Sequence, residues 1–333
     1  MLQKTLYLIS MMIGLIIIAS SHMLLITWLG MEIISFFLFP FIMSNSNNLS
    51  TKLLLWKYFF IQFISTSLFL LSFTLTSLTM SNYYFMDTMS EIIMLIAMYI
   101  KLGIFPFQAW MFEICENLSW VNMILFTTIP KFGPLIILWN SNYILSNKII
   151  LMSSMMVWLC MGCAYEFSLR RFLIYSSIMN VMWMTYACTM NIMTLYIYMF
   201  FYTIIMLCLM NTINKSNNKE FSLLSNNTIE LNMTSRTINM INIMSLCGFP
   251  PLLGFMMKLE VTMVFMNHSN VAMCIPLMFC SIYMVSIYMN ISFLSMFIKK
   301  SPTRNTIKTK RSTNFTTIIS MIIQVMPMII YLF

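Results

Sequence analysis

A chain of 333 residues with 60% hydrophobic and only 8% charged positions cannot clothe a water-facing surface, since ordinary globular chains are about one-quarter charged. The mean hydropathy of +0.86 points the same way, to a polytopic membrane protein. Seven glycines and nine prolines exclude collagen-like and disordered classes. The apolar runs are continuous, without the alternation of a transmembrane β-barrel. The net charge of +9 does not imply nucleic-acid binding, because the basic residues sit in short loops between apolar runs.

A membrane span needs roughly 20 apolar residues. Eleven stretches qualify: 5–21, 23–43, 53–79, 91–115, 120–139, 148–165, 171–189, 193–211, 237–265, 271–298 and 315–333. The linkers are rich in Asn, Ser and Lys, as in SNSNNLSTK (44–52) and NKSNNKE (214–220). With the N-terminus on side A and strict alternation, side A collects Lys4, Lys52, Lys57, Arg170, Arg171, Lys215, Lys219, Arg236, Lys299, Lys300, Arg304, Lys308, Lys310 and Arg311, and side B only Lys148. That asymmetry is a positive-inside signal. It supports the span count, because one missed span would scramble it.

Three spans carry helix breakers: KLGIFPFQAW (101–110), IPKFGPL (129–135) and SLCGFPPLLGF (245–255). Proline removes a backbone donor, and the freed carbonyls must find partners inside protein or a wet cavity. The fourth and ninth spans share a Gly-x-x-Pro core, Gly103 to Pro106 and Gly248 to Pro251. Each is the fourth member of a five-span set, and an odd set repeated in tandem must invert across the membrane. Broken helices at matching places in inverted repeats mark an ion pathway. The expected fold is therefore an all-α polytopic membrane protein of about 11 transmembrane helices. It divides into a five-helix repeat over 1–140, an inverted one over 148–298, and a basic loop with a last helix over 299–333.

Four ionisable groups lie within spans: Glu32 in the second, Lys101 in the fourth, Lys131 in the fifth and Lys258 in the ninth. Each costs at least ~2.5 kcal/mol at mid-bilayer, so such groups face a protein interior, pair with one another or line a water path. The plainer alternatives are snorkelling from a helix end for Lys101 and Lys258, and a buried carboxylate satisfied by a neighbouring helix for Glu32. If Glu32 and Lys101 pair, breaking the pair turns Lys101 from proton holder into proton donor. Lys57 reads as a snorkelling anchor. Arg170 and Arg171 read as topology determinants, with Glu166 in i,i+4 reach of Arg170. Asp87, Glu91, Glu113 and Glu116 read as interfacial.

The Cys160-Met-Gly-Cys163 spacing has no second half-site and reads as packing thiols, with Gly162 fitting a close helix contact. His22 and His268 fall in side-B loops and read as no metal site. Phosphate-binding loops, nucleophile elbows and metal-ligand sets are missing from the sequence. The 40 methionines fit an AT-rich genome that reads ATA as Met, as animal mitochondria do. No cleavable presequence is visible, so the expectation is synthesis inside the organelle.

In SSHMLLITWLGMEI (20–33), KYFFIQ (57–62), KLGIFPFQAWMFEI (101–114), PKFGPL (130–135), LRRFLIYSSIMNVMWM (169–184) and SLCGFPPLLGFMMK (245–258), the chain resembles the NADH dehydrogenase subunit 2 family, the mitochondrially encoded antiporter-like chains of respiratory complex I. The motifs run in the family's order; the last quarter matches only in hydrophobic pattern. The resemblance implies matrix-to-intermembrane-space proton translocation in the inner mitochondrial membrane, driven by quinone reduction elsewhere. The family's intramembrane glutamate falls on Glu32, its broken-helix lysine on Lys101, its central lysine on Lys131 and its distal lysine on Lys258. The implied partners are other membrane-arm subunits, including sister antiporter-like chains, and membrane lipids. NAD, FMN, iron–sulfur clusters and ubiquinone are implied for other subunits and none for this chain. The N-terminus is expected in the matrix and the C-terminus in the intermembrane space.

Two departures stand out. Asn180 and Gln108 replace histidines frequent in the family, and neither amide takes up a proton near neutral pH. The competing readings are a stand-alone cation/proton antiporter subunit and a structural scaffold of the membrane arm.

Overall fold

The computed structural model describes residues 2–21, 23–45, 49–78, 84–140, 156–166, 168–215, 233–267, 271–297 and 322–324. Thirteen helices can be followed among them: α1 Leu2–Ser20, α2 Leu24–Asn45, α3 Leu49–Leu78, α4 Tyr84–Leu102, α5 Ala109–Asn117, α6 Trp120–Thr128, α7 Phe132–Asn140, α8 (156–164), α9 Leu169–Cys188, α10 Ile192–Lys215, α11 Met233–Cys247, α12 Leu253–Asn267 and α13 Val271–Phe297. The architecture is helical throughout the described residues. Among the described residues, five stretches are long and apolar enough to cross a membrane: Gln3–Ser20, Leu24–Asn45, Leu49–Ser77, Trp120–Asn140 and Ile192–Ile213.

The outer faces are apolar as a lipid-facing surface requires. Ile16, Phe36, Phe63, Phe200 and Phe279 all stand exposed. Hydroxyls within the spans bond to their own helix. Ser65 donates to the Gln62 carbonyl at 2.7 Å, Ser72 to Phe69 at 2.6 Å, and Thr212 to Leu209 at 2.9 Å. Such back-bonding makes serine and threonine tolerable where no water competes.

The chain divides into two compact units, one of 1–155 with 177–195, the other of 156–176 with 196–333. In the first unit α1 packs on α2 and α3 on α4, and α7 touches α1, α2 and α4. Most residues of the segment 120–140 are buried. In the second unit α11 packs on α13 and on α12.

The breakers act where the sequence places them. The fourth span stops at Leu102 and resumes at Ala109, and the ninth stops at Cys247 and resumes at Leu253. The two breaks share one hydrogen-bond scheme. In the first, Gly103 N–H donates to Ile100 (3.3 Å), Ile104 to Tyr99 (3.1 Å) and Phe107 to Ile104 (2.8 Å). In the second, Gly248 donates to Ser245 (3.1 Å), Phe249 to Met244 (3.3 Å) and Leu252 to Phe249 (2.9 Å). Each is a Schellman cap, which needs a left-handed residue just past the helix end. Gly103 at φ 67° and Gly248 at φ 82° supply it. The fifth span is interrupted more gently. A 3-10 turn, Ile129–Lys131, joins α6 to α7.

Several expectations lie outside the described residues: His22, His268, Lys148, the loop 299–314, the first half of the sixth span, and all of the eleventh span but 322–324. Glu166, read as within i,i+4 reach of Arg170, has Arg171 Nη1 3.4 Å from its Oε2.

Candidate functional site

Lys101 is the penultimate residue of α4 and is buried. Its Nζ lies 3.1 Å from Glu32 Oε1 on α2. The lysine side chain is 4% exposed and the glutamate 34%, so the pair is open on the carboxylate's side alone. Lys101 stands in the last turn of α4, and helix C-termini favour cations. Tyr58 Oη on α3, and Gln108 Oε1 and Trp110 Nε1 just past the break, are buried and have no partner among the described residues. Tyr58, Trp110 and Phe126 stack at centroid distances of 5.2–6.0 Å.

Lys131 stands in the 3-10 turn and is 3% exposed. Its Nζ is 3.4 Å from the carbonyl of Ser177 on α9. Asn180, one of the two amides that replace family histidines, is buried one turn further along α9. The 3-10 geometry follows from Pro130, which cannot donate to an α-helical ladder.

Lys258 lies in α12 of the second unit and is also buried. Its ammonium turns back across the break and donates to the carbonyl of Cys247, the last residue of α11. Its stem passes against Gly248, where an added Cβ would meet Lys258 carbons and Nζ at 2.9–3.1 Å. The structure thus joins Glu32 to Lys101 directly, while Lys131 and Lys258 each meet a backbone carbonyl.

Lys57, read as a snorkelling anchor, pairs with Glu113 at 2.9 Å on an exposed face. All eight cysteines are free and buried. Gly162 lets Tyr175 approach, its added Cβ meeting the tyrosine oxygen at 3.0 Å. Among the described residues no group of three or more His, Cys, Asp or Glu could hold a metal ion.

Two features escaped the sequence reading. Glu260, half-buried on α12, is a further carboxylate within a span; the pair Lys258-Leu-Glu260 in an apolar run was the available signal. The second is an amide cluster on α11. Asn242 donates to Thr212 Oγ1 at 3.2 Å and accepts from Gln324 Nε2.

Two helices broken mid-span by Schellman caps, each with a buried lysine close to the break, define an antiporter-like membrane protein. The chain belongs to the NADH:quinone oxidoreductase/Mrp antiporter transmembrane family, which it matches over residues 21–282. It is similar to the NADH-ubiquinone oxidoreductase chain 2 of Anopheles gambiae, 29% identical over 258 residues, covering 77% of this chain and 75% of that one. It is likewise similar to the chain 2 of Oryzorictes hova, 28% identical over 317 residues, covering 92% and 89%. Among solved structures it shares its fold with a chain of respiratory complex I from Thermus thermophilus with bound aureothin, at a TM-score of 0.81 and 16% identity over 99% of this chain and 79% of that one. A chain of the Mrp complex from a Dietzia species follows at 0.75 and 14%, covering 88% and 60%.

Proposed function

We propose that this chain is an antiporter-like membrane-arm subunit of a proton-pumping NADH:ubiquinone oxidoreductase, moving protons from the mitochondrial matrix to the intermembrane space. The Lys101–Glu32 pair at a broken helix end carries the reading. A carboxylate beside an ammonium holds its proton; a carboxylate neutralised or drawn away releases it. Lys131, at the 3-10 interruption, relays the proton within the first unit, and Lys258 serves as the corresponding group in the second. The relatives named as NADH-ubiquinone oxidoreductase chain 2 support the assembly and the inner mitochondrial membrane as its place.

The full reading has eleven spans. They form a five-helix repeat over 1–140 and an inverted one over 148–298, closed by 299–333. The N-terminus is in the matrix and the C-terminus in the intermembrane space. The shared hydrogen-bond scheme of the two breaks supports the repeat. Partners are other membrane-arm subunits, sister antiporter-like chains among them, and lipids. NAD, FMN, iron–sulfur clusters and ubiquinone belong to other subunits of the complex, and this chain supplies proton-handling side chains without a redox centre.

The test is Lys101→Met in the intact complex. Proton pumping per NADH oxidised should fall while the subunit stays assembled; unchanged pumping in an assembled variant would sink the role given to Lys101. The likeness to the Mrp chain favours a second reading, a cation/proton antiporter subunit outside any NADH-oxidising complex. Native electrophoresis with in-gel NADH oxidation staining separates the two. Co-migration with the stained band supports the first, and a smaller NADH-inactive assembly with sodium- or potassium-dependent proton exchange supports the second.

A further inference from the structure

Glu260 stands half-buried on α12, and no cation or hydrogen-bond donor meets it among the described residues. Lys258, two residues earlier, does not serve. Side chains two apart on a helix do not face each other, and the Lys258 ammonium is turned back to the Cys247 carbonyl. Nor does the carboxylate reach the end of its own helix. Asn267 closes α12 seven residues on, about 10 Å away at 1.5 Å per residue, further than a glutamate side chain extends. The ninth span thus carries a carboxylate whose counter-charge lies outside the described residues.

The surface beside it is open and apolar. Met263, one turn on, is 59% exposed, and Met266 is exposed as well. Next to them α13 presents Ile275, Phe279 and Ile282, all exposed, at the spacing of a single helix face. Between the two helices runs a groove of about 400 Å³ with these side chains in its walls. Such a groove by itself suits lipid tails as well as protein, because lipid tails are as apolar as leucine. The carboxylate decides between them. Lipid tails offer it neither charge nor donor, and acidic groups within spans are found facing protein or water and paired. The tenth helix supplies the contrast. Met193, Phe200 and Leu207 stand exposed on α10, which carries no charged residue before Lys215. That is a face fit for lipid; the α12 face is not.

We propose that the α12–α13 face docks a transmembrane helix of another protein, which sets a lysine or arginine against Glu260 and apolar side chains in the groove between Met263 and Phe279. This rests on the reading of the chain as a membrane-arm subunit, and it names the surface and the charge that hold one neighbour. The groove packs against any apolar helix of suitable shape and so selects little. The carboxylate selects: a helix with an acidic residue at that height sets two carboxylates together, and an apolar one leaves Glu260 unpaired.

The test uses the intact complex in mild detergent, with the chain unaltered and as Glu260→Leu and Glu260→Gln. In a high-resolution structure of the unaltered complex, a lysine or arginine nitrogen of another subunit should lie within about 4 Å of the Glu260 carboxylate, with its helix over the groove. Glu260→Leu strands that partner's charge and should speed the release of the neighbouring subunit about 30-fold. Glu260→Gln still accepts a hydrogen bond and should fall between. If the face meets lipid, the sign reverses: Glu260→Leu removes a costly group, and release stays the same or slows, which overturns the proposal. Lipid tails in the groove of the unaltered complex, or Lys148 or another residue of this chain at the carboxylate, overturn it too. If neither variant assembles, the structure of the unaltered complex decides alone. All of these results leave the membrane-arm reading standing while the chain co-migrates with NADH oxidation. A chain that never co-migrates with it overturns the reading and the proposal together.

Discussion

At the first break Gly103 turns the chain, and Lys101, already inside the last turn of α4, reaches to a carboxylate on a different helix. At the second break Gly248 makes the same turn, but the lysine comes from the outgoing half, α12, and returns to a carbonyl of the incoming half, α11. The approach to the break is apolar on α4 and lined with amides on α11. The outgoing halves differ too. Ala109 opens α5 on an exposed face, whereas its counterpart Gly254 is pressed so hard on α11 that an added Cβ would sit 1.6 Å from the Ser245 carbonyl oxygen. A common backbone device is therefore compatible with two arrangements of charge. The cap fixes where carbonyls are freed, and the surrounding helices decide what meets them.

The contrast at the outgoing halves yields the largest expected effect. Gly254→Ala places a methyl group into backbone, which no rotamer change relieves, and overpacking of this kind costs about 1–3 kcal/mol or more. The variant subunit should be missing from the assembled complex on native gels. Ala109→Gly should cost at most about 1 kcal/mol and leave assembly intact; equal loss in both would dissolve the asymmetry. Next come the lysines. Lys101→Met leaves the Glu32 carboxylate without its cation, whereas Lys258→Met leaves one carbonyl short of a donor, a loss of about 1 kcal/mol. Thermal release of the subunit from detergent-extracted complex should therefore occur at lower temperature for Lys101→Met. Adding Glu32→Gln to it should recover much of the difference. If Lys258→Met proves the weaker of the two, the carbonyl is the costlier partner to strand. The smallest effect is expected at Lys57. Its pair with Glu113 is exposed on both sides, and such pairs contribute about 0–1 kcal/mol. Lys57→Met should barely move the release temperature, and a large shift would mean that the assembly buries this face.

Much of this was legible in the residues. Glycine and proline announce the breaks because their backbone limits are local, and an ionisable residue in an apolar run announces itself by its cost. Glu32, Lys101, Lys131 and Lys258 all stood out for that reason. Their partners did not. Lys258 finds a carbonyl eleven residues back, and every residue has a carbonyl, so no letter of the sequence marks that one. Lys57 meets Glu113 across 56 residues, a pairing set by how α3 lies against α5. The amides of α11 were visible as Asn239 and Asn242 in an apolar stretch, but their importance depends on Gln324, in the quarter of the chain where only hydrophobic pattern could be read.

The return of Lys258 to Cys247 makes the ammonium a strap between the two halves of one broken span. Lys101 by contrast ties its span to a neighbour. Discharging the second lysine slackens a hinge within α11–α12, and that stiffness is a property of a single segment. Discharging the first lets two helices part. A proton leaving two sites with the same bend would thus be read out as flexing at one and as separation at the other.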